Sequence, residues 1–390
     1  MSLIHRAWSL LPRRLRREAL FSLMALRAPR ITQPPPDGAG PLVLAGYHSA
    51  MSGLGAGTRR LAAGLRARGL DPVIADVTGP LRQGPPHPAA AVPPGPGTLL
   101  VHVNGPMLPW ALAVLGRRAV AGKRVIGVWN WELPVLPADW RRGFTACHEI
   151  WAASRFTAEA FRGSGIPVRV VPYPVLPEAA AARTGADFGL PGDAFVTLAI
   201  FDAASSISRK NPAASIAAHH AAFGDDPAHI LLLKVHNTAR AGDAWREVAA
   251  LAAARCNVLV LDRSLSDAEM SALILCCDVL ISLHRAEGFG FTLAEALALG
   301  RPVVGTAWSG NLDFMAAPGA HAVPYRLVPA TDTQATYDVA GAAWAEADIE
   351  AAAAALRRIA ADPALRRPPP HPFPPPDYPA LLGFTSPASA

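Results

Sequence analysis

Cysteine and charge are both scarce in this chain. Its 390 residues include four cysteines, Cys147, Cys256, Cys276 and Cys277. No two of them form a C-x-x-C pair, so the sequence offers neither zinc-ribbon spacing nor a thioredoxin-like redox motif. Cys276 and Cys277 precede an apolar run, where buried thiols are common. All four are expected to be reduced and structural, as in a cytoplasmic protein. Charged residues make up 17% of the chain and hydrophobic residues 51%, yet no apolar run reaches the roughly 18 residues of a transmembrane helix. Zinc-finger spacing and an aromatic RNA-binding signature are missing too, so nucleic acid is not an expected partner.

The charge that is present leans positive, with a formal net charge of +6 and a pI of about 9.5. An arginine-for-lysine bias on an ordinary surface would explain it, as would attraction to an anionic lipid or phosphorylated substrate. Much of the excess lies in residues 1–30, where arginines such as Arg13, Arg14, Arg16 and Arg17 alternate with Leu15, Leu20, Phe21 and Leu23. The arginines interrupt any secretory apolar core. The pattern fits a basic amphipathic leader that lies on an anionic membrane surface, or a helix packed on its own domain. The expected location is therefore cytoplasmic, peripheral on the inner face of the membrane wherever the leader binds it.

The remaining sequence divides in two. After a Pro/Gly linker at 31–41, a short apolar strand (Leu42 to Ala45), a glycine-rich turn (Gly53, Gly55, Gly57), a helix at 58–68 and a strand at 72–76 form a β-turn-α-β unit, the start of a parallel sheet. Strands are expected at 98–103, 123–129, 149–153 and 168–171, with helices between them at 107–116, 137–145 and 155–163. The stiff segment Pro172-Tyr-Pro-Val-Leu-Pro177 marks a boundary. Beyond it the alternation repeats, with strands at 195–201, 230–235, 258–261, 279–283 and 303–306. Helices are expected at 212–223, 243–254, 267–276, 293–299 and 348–360. The domains are thus a leader and linker (1–40), an N-terminal Rossmann-like domain (41–172), a C-terminal one (173–366) and a Pro-rich tail (367–390). The tail is expected to be disordered, because proline removes the backbone donor. The fold class is α/β, with two Rossmann-like domains facing a central cleft.

The most informative stretch is His284-Arg-Ala-Glu-Gly-Phe-Gly-Phe-Thr-Leu-Ala-Glu295. A strand ends before it, Gly288 and Gly290 permit a tight turn, and Thr292 opens a helix whose free amides and dipole suit a diphosphate. Glu287 and Glu295 flank the loop. They are suited to accept hydrogen bonds from sugar hydroxyls, although Thr292 and Glu295 also fit a T-x-x-E capping box. Upstream, Arg209 and Lys210 follow a strand, and such a cationic pair neutralises charge growing on a pyrophosphate leaving group. Lys234 ends an apolar strand, an expensive place for an idle charge. No Asp-x-Asp stands at a strand end nearby, so no metal is expected.

Glu287 and Glu295 with their seven-residue spacing, inside EGFGFTLAEALALGRPVVGT, resemble the signature of retaining glycosyltransferases of family 4, which have the GT-B fold. The resemblance covers roughly residues 42–366 and implies transfer of a hexose from a nucleoside diphosphate sugar, a co-substrate rather than a bound cofactor, to a hydroxyl of a glycan or lipid-linked acceptor. It implies retention of configuration and suggests bacterial envelope or exopolysaccharide synthesis. Glu287 would contact donor-sugar hydroxyls and Glu295 the ribose, with Gly288, Phe289, Gly290, Phe291 and Thr292 against the donor. Lys210, Arg209 and Glu287 are the catalytic candidates. Lys234, Asn311 (in the Ser309-Gly310-Asn311 turn) and Gly55 are further donor-side candidates. Ser205 stands where family members carry an arginine, so Arg209 or Lys234 would replace it. In the N-domain, Asn130, Trp131 and Glu132 follow a strand end and form the expected acceptor side, with His102 and His48 as alternatives. Family members usually end in a helix that crosses back to the N-domain, and here that place holds the proline-rich tail, so either the chain is truncated or altered there or the crossing is lost. A rival reading is therefore a non-catalytic carbohydrate- or nucleotide-binding protein derived from a transferase. An NAD-binding enzyme ranks lower, because Gly53, Gly55 and Gly57 do not have G-x-G-x-x-G spacing.

Overall fold

The structure is a computed structural model and describes residues 13–88, 91–337 and 339–384. Among these residues two six-stranded parallel sheets each form the centre of one domain. The first holds β1 (Leu42–Gly46), β2 (Val73–Asp76), β3 (Gly97–His102), β4 (Lys123–Trp129), β5 (Glu149–Ala152) and β6 (Val168–Val170), in the order β2-β1-β3-β4-β5-β6. The second holds β7 (Phe195–Asp202), β8 (His229–His236), β9 (Val258–Asp262), β10 (Val279–Ser282), β11 (Val303–Thr306) and β12 (Ala320–Val323), in the order β12-β11-β10-β7-β8-β9. Central strands such as LVLAG of β1 and GTLLVH of β3 are buried at every position. Helices covering both faces of a parallel sheet require such unbroken apolar runs.

Two sheet elements were not expected. β12 is only four residues long and only its last residue is fully buried, so it carries no strong period. β13 (Tyr325–Pro329) and β14 (Ala343–Ala347) pair antiparallel as a separate hairpin, with β13 largely exposed. The expected leader helix exists over Arg13–Arg27. It packs on the helix Leu108–Leu115, with Phe21 buried and Glu18 paired to Arg142, while Leu23 and Leu26 stay exposed. The leader before Arg13 lies outside the described residues.

The tail corrects its expectation. Residues 368–377 are non-helical, as their prolines dictate, but they are placed and they return to the first domain. His371 N–H donates to Leu297 O at 2.9 Å, and Val175 N–H donates to Phe373 O at 3.3 Å. The chain then forms the helix Tyr378–Leu382, capped by the Asp377 side chain and closed by Gly383 at φ 76°. Tyr378 and Leu382 are fully buried among Leu61, Leu65 and Trp151 of the first domain. The Tyr378 ring stacks on Trp151 at 6.1 Å, and Arg124 donates to Leu382 O at 3.3 Å. Gly64 makes room: a Cβ there would stand 2.6 Å from Pro174 and 3.2 Å from Tyr378. The crossing is kept, made by an extended proline strap and one short helix. The tail beyond 384 lies outside the described residues.

Candidate functional site

In the second sheet the connections reverse direction between β7 and β10, which lie side by side. Open α/β sheets bind ligands at such a switch point, outside the carboxyl ends of the strands. The loops leaving these two strands are residues 203–211 and 283–290, the two segments singled out from the sequence.

The first loop is a fixed turn. Ser206 adopts φ 63° and its side chain accepts from Arg209 N–H, starting the helix Ile207–Lys210, and Asn211 ends it at φ 53°. Asn211 Nδ2 donates to Leu283 O at 3.1 Å, and Arg285 N–H donates to Arg209 O at 2.7 Å. The two loops are thus tied together and aim Arg209 and Lys210 at Glu287. Lys210 Nζ lies 2.5 Å and Arg209 Nη1 3.2 Å from the Glu287 carboxylate. Burial would raise Glu287, but Lys210, then Arg209 and His284, bring it down to about 2. Burial pulls Lys210 below its ordinary value, opposed by Glu287. Burial also opposes the charge on Arg209, and Tyr337, Glu287 and Glu132 outweigh it.

The two cations differ in role. The Arg209 guanidinium is buried and committed to protein oxygens, donating to Ala286 O at 2.7 Å and to Ser205 Oγ at 2.9 Å. It folds back over Ser205 and braces the glycine loop. Lys210 Nζ donates to Glu287 and keeps 19% of its side chain exposed.

The helix after the glycine loop starts at Phe291, with Gly290 at the cap position in a left-handed conformation and no side-chain cap. Thr292 is therefore inside the helix, and the capping box read from the sequence does not form. The first-turn amides are left without a capping side chain, next to Glu287. Glu295 turns instead to the other domain, where it pairs with Arg60 of the helix Gly53–Ala67. The Arg60 guanidinium also lies 4.5 Å from the centre of the Phe291 ring. Phe289 is buried among Tyr173, Phe291 and Phe314.

The domains meet at the glycine loop. Gly288 O accepts from Ser154 Oγ at 2.6 Å and from Thr157 Oγ1 at 3.1 Å, and Thr157 Oγ1 also reaches Trp131 O at 3.0 Å. Glu132, expected on the acceptor side, comes within the electrostatic reach of Arg209 and Lys210. Trp131 is buried against Trp140 and Tyr337, at 5.1 and 5.6 Å between ring centres. Asn130 Nδ2 donates to the Tyr173 hydroxyl at 2.7 Å. His102 is fully buried between Thr58 and that hydroxyl, and burial pushes it down to about 3, so it stays neutral. His48 is held at Leu44 O.

Asn311 comes up to the glycine loop, where a Cβ at Gly290 would stand 3.1 Å from its own, and it is buried with its amide spent on His284 and Thr306 O. Two candidates are not brought to this cluster. Gly55 lies in the first turn of the helix Gly53–Ala67, so close to the preceding loop that a Cβ would stand 2.1 Å from Ala50 O. Lys234 is buried with Asp262, Arg263 and Asp202 as its charged neighbours. Burial pushes Lys234 down to about 8, opposed by Asp262. The unfolded chain holds that proton to about pH 10, so the buried charge destabilises the fold below pH 8 and does so less as pH rises past it. Lys234→Met is expected to melt above the wild type at pH 7, with the gap narrower at pH 9.5; equal melting temperatures at pH 7 would show that the charge is compensated.

Residues 235–362, which span Glu287, the glycine loop and Glu295, match the family model described as glycosyl transferases group 1. The chain carries a group 1 glycosyltransferase domain. No curated protein matches the chain in sequence. Among solved structures, a sucrose-phosphate synthase from Thermosynechococcus elongatus is similar at 18% identity and a TM-score of 0.61, over 84% of this chain and 91% of that one. An E. coli trehalose-6-phosphate protein bound with UDP-2-fluoro glucose is similar at 11% identity and a TM-score of 0.50, over 69% and 67%. The chain spans about half the length (49%) of S. aureus TarM, at 10% identity and a TM-score of 0.49. These likenesses are of fold: the glycosyltransferase domain and its partner form a GT-B architecture. Sequence reasoning missed Arg60 and Tyr337, and it singled out the segment that holds Tyr173 without giving that residue a role.

Proposed function

We propose that the protein is a retaining, metal-independent glycosyltransferase that moves a hexose from a nucleoside diphosphate sugar to a hydroxyl acceptor. The observation that carries this reading is the meeting of Lys210, Glu287 and an uncapped helix start at the switch point of the second sheet. Lys210 and the free amides of Phe291 and Thr292 suit the diphosphate. Glu287, ionised throughout the working pH range, suits the sugar hydroxyls. Glu295 suits the ribose once it leaves Arg60. That the E. coli trehalose-6-phosphate structure holds UDP-2-fluoro glucose supports this class of donor. In the reaction the bond from the anomeric carbon to the diphosphate oxygen breaks, and its electron pair leaves with the diphosphate. The acceptor oxygen bonds to the same face, and its proton passes to the departing phosphate. Lys210 stabilises the growing negative charge, and the closed cleft fixes the acceptor beside it. The non-catalytic reading drew on a lost crossing to the N-domain, and the docked tail removes that support. A bacterial glycan or exopolysaccharide acceptor and membrane contact through the leader belong to this proposal too. None of the described helices is long and apolar enough to cross a membrane.

The test is a melting-temperature screen with UDP-, GDP- and ADP-sugars and the bare diphosphates, since a ligand of the folded state raises the transition. One nucleotide family is expected to stabilise the wild type. Glu287→Gln should weaken the sugar nucleotide by roughly 10- to 100-fold, the worth of a charged hydrogen bond, and spare the bare diphosphate. Equal losses for both ligands, or no stabilisation by any, would overturn the assignment.

A further inference from the structure

The hairpin of β13 and β14 carries a loop whose residues 330–337 reach the switch point. Asp332 organises it: its carboxylate accepts from the amides of Thr336 and Tyr337 at 2.8 and 3.0 Å and from Ser206 Oγ at 2.8 Å. Ser206 is the cap of the helix that bears Arg209 and Lys210. Gln334 adds two bonds to the same turn, accepting from Ile207 N–H at 2.6 Å and donating to Ala203 O at 3.0 Å. The loop is therefore fastened to the segment that aims the two cations, and it has a fixed relation to them.

What it delivers is Tyr337. This side chain is 5% exposed. Its ring lies 5.0 Å from the Arg209 guanidinium and 5.6 Å from the Trp131 ring. Glu132, next in sequence to Trp131, comes within the electrostatic reach of the Tyr337 hydroxyl. Tyr337 and Arg209 belong to the second domain, Trp131 and Glu132 to the first. The contact spans the cleft and exists only with the domains together. Burial and the two carboxylates, Glu132 and Glu287, keep the phenol protonated against the pull of Arg209, so it has a proton to offer Glu132. Glu132 is within the electrostatic reach of Lys210 and Arg209, the groups beside which an incoming hydroxyl would lie to attack a sugar held by Glu287.

We propose that Tyr337 is the positioning residue for Glu132, and that this cross-cleft pair, formed on closure, holds the acceptor hydroxyl. The inference rests on the transferase reading. Tyr337 acts through Glu132 and leaves the nucleotide-binding groups alone, so its loss lowers turnover and not diphosphate affinity.

The experiment is a double-mutant cycle on the full chain with Tyr337→Phe, Glu132→Gln and the pair together. The readout is release of nucleoside diphosphate from UDP-glucose, UDP-N-acetylglucosamine, GDP-mannose and ADP-glucose, with water as acceptor. Tyr337→Phe keeps the ring against Trp131 and Arg209, so its melting temperature and its stabilisation by the bare diphosphate should match the wild type. Its turnover should fall about tenfold, within the range of contacting pairs. The double variant should be no slower than Glu132→Gln alone. Losses that multiply in the double variant would show that Tyr337 does not act through Glu132 and would overturn the proposal, while leaving the transferase reading intact. Release from none of the four donors by the wild type, with no stabilisation by any diphosphate, would overturn both.

Discussion

Lys210→Ala should lower kcat by about 10²–10³, the usual effect of removing one group that stabilises charge in a transition state. The expectation follows from how the two neighbouring cations are used. Arg209 is nearly inaccessible and its guanidinium is held by Ala286 O and Ser205, so it cannot swing to replace a missing lysine. Lys210 has only Glu287 to give up, and a donor sugar bound to Glu287 frees it for the leaving diphosphate. Without Lys210, Glu287 still has Arg209 at 3.2 Å, so the variant should fold with a melting temperature close to that of the wild type. Steady-state release of nucleoside diphosphate measures the effect, and the loss should fall on kcat more than on the donor KM, because the charge grows as the bond breaks. A loss of less than tenfold would mean that another group carries the leaving-group charge.

Tyr378→Ala should destabilise the protein by about 3–5 kcal/mol, as large aromatic truncations in cores do. Tyr378 is fully buried on Trp151 and beside Leu382, Leu61 and Leu65, although it comes from the far end of the chain. Its removal leaves a cavity in the first domain and loosens the strap that returns from the second. Tyr378→Phe keeps the ring and removes a buried hydroxyl that has no hydrogen-bond partner among the described residues, so it should be as stable as the wild type or more stable by about 1–3 kcal/mol. Urea unfolding followed by tryptophan fluorescence, with Trp151 directly in the contact, reports both. A cost for Tyr378→Ala below 1 kcal/mol would mean that the tail is not docked in solution.

The parts of the fold that could be read from the sequence are those where a buried parallel strand forces an unbroken apolar run. β4 and β11 match the expected bounds, and the helix Asp267–Cys276 is bounded by a Ser266–Glu269 capping box. Elements whose partners are remote did not announce themselves. β12 is a four-residue edge strand, and β13 with β14 is a surface hairpin whose stabilising contacts run to the 203–211 turn. The tail was misread because proline excludes helix within 368–377 but says nothing of whether an extended chain docks. Phe373, Tyr378 and Leu382 were the signal, since apolar side chains spaced along a proline stretch need a surface to bury them. At the candidate site, Lys210 could be singled out as part of a cationic pair that follows a strand, and Glu287 from its place at the glycine loop. Glu295 and Thr292 were legible only in part, since the local capping pattern competes with a helix start that Gly290 sets two residues earlier. Tyr337 and Arg60 could not be found from sequence, because what makes them matter is a partner on the opposite domain.

The returning strap also decides how the two halves move. The polypeptide passes between them twice, through 172–176 and again through 367–377, and the two passages run side by side in opposite directions, joined at Val175 and Phe373. A body hung from one thread can swivel and drift; one hung from two adjacent threads that are bonded to each other retains rotation about the line they define. Two passages joined in this way leave the halves fewer directions in which to part than a single linker would, and the line they define lies at the proline-rich end.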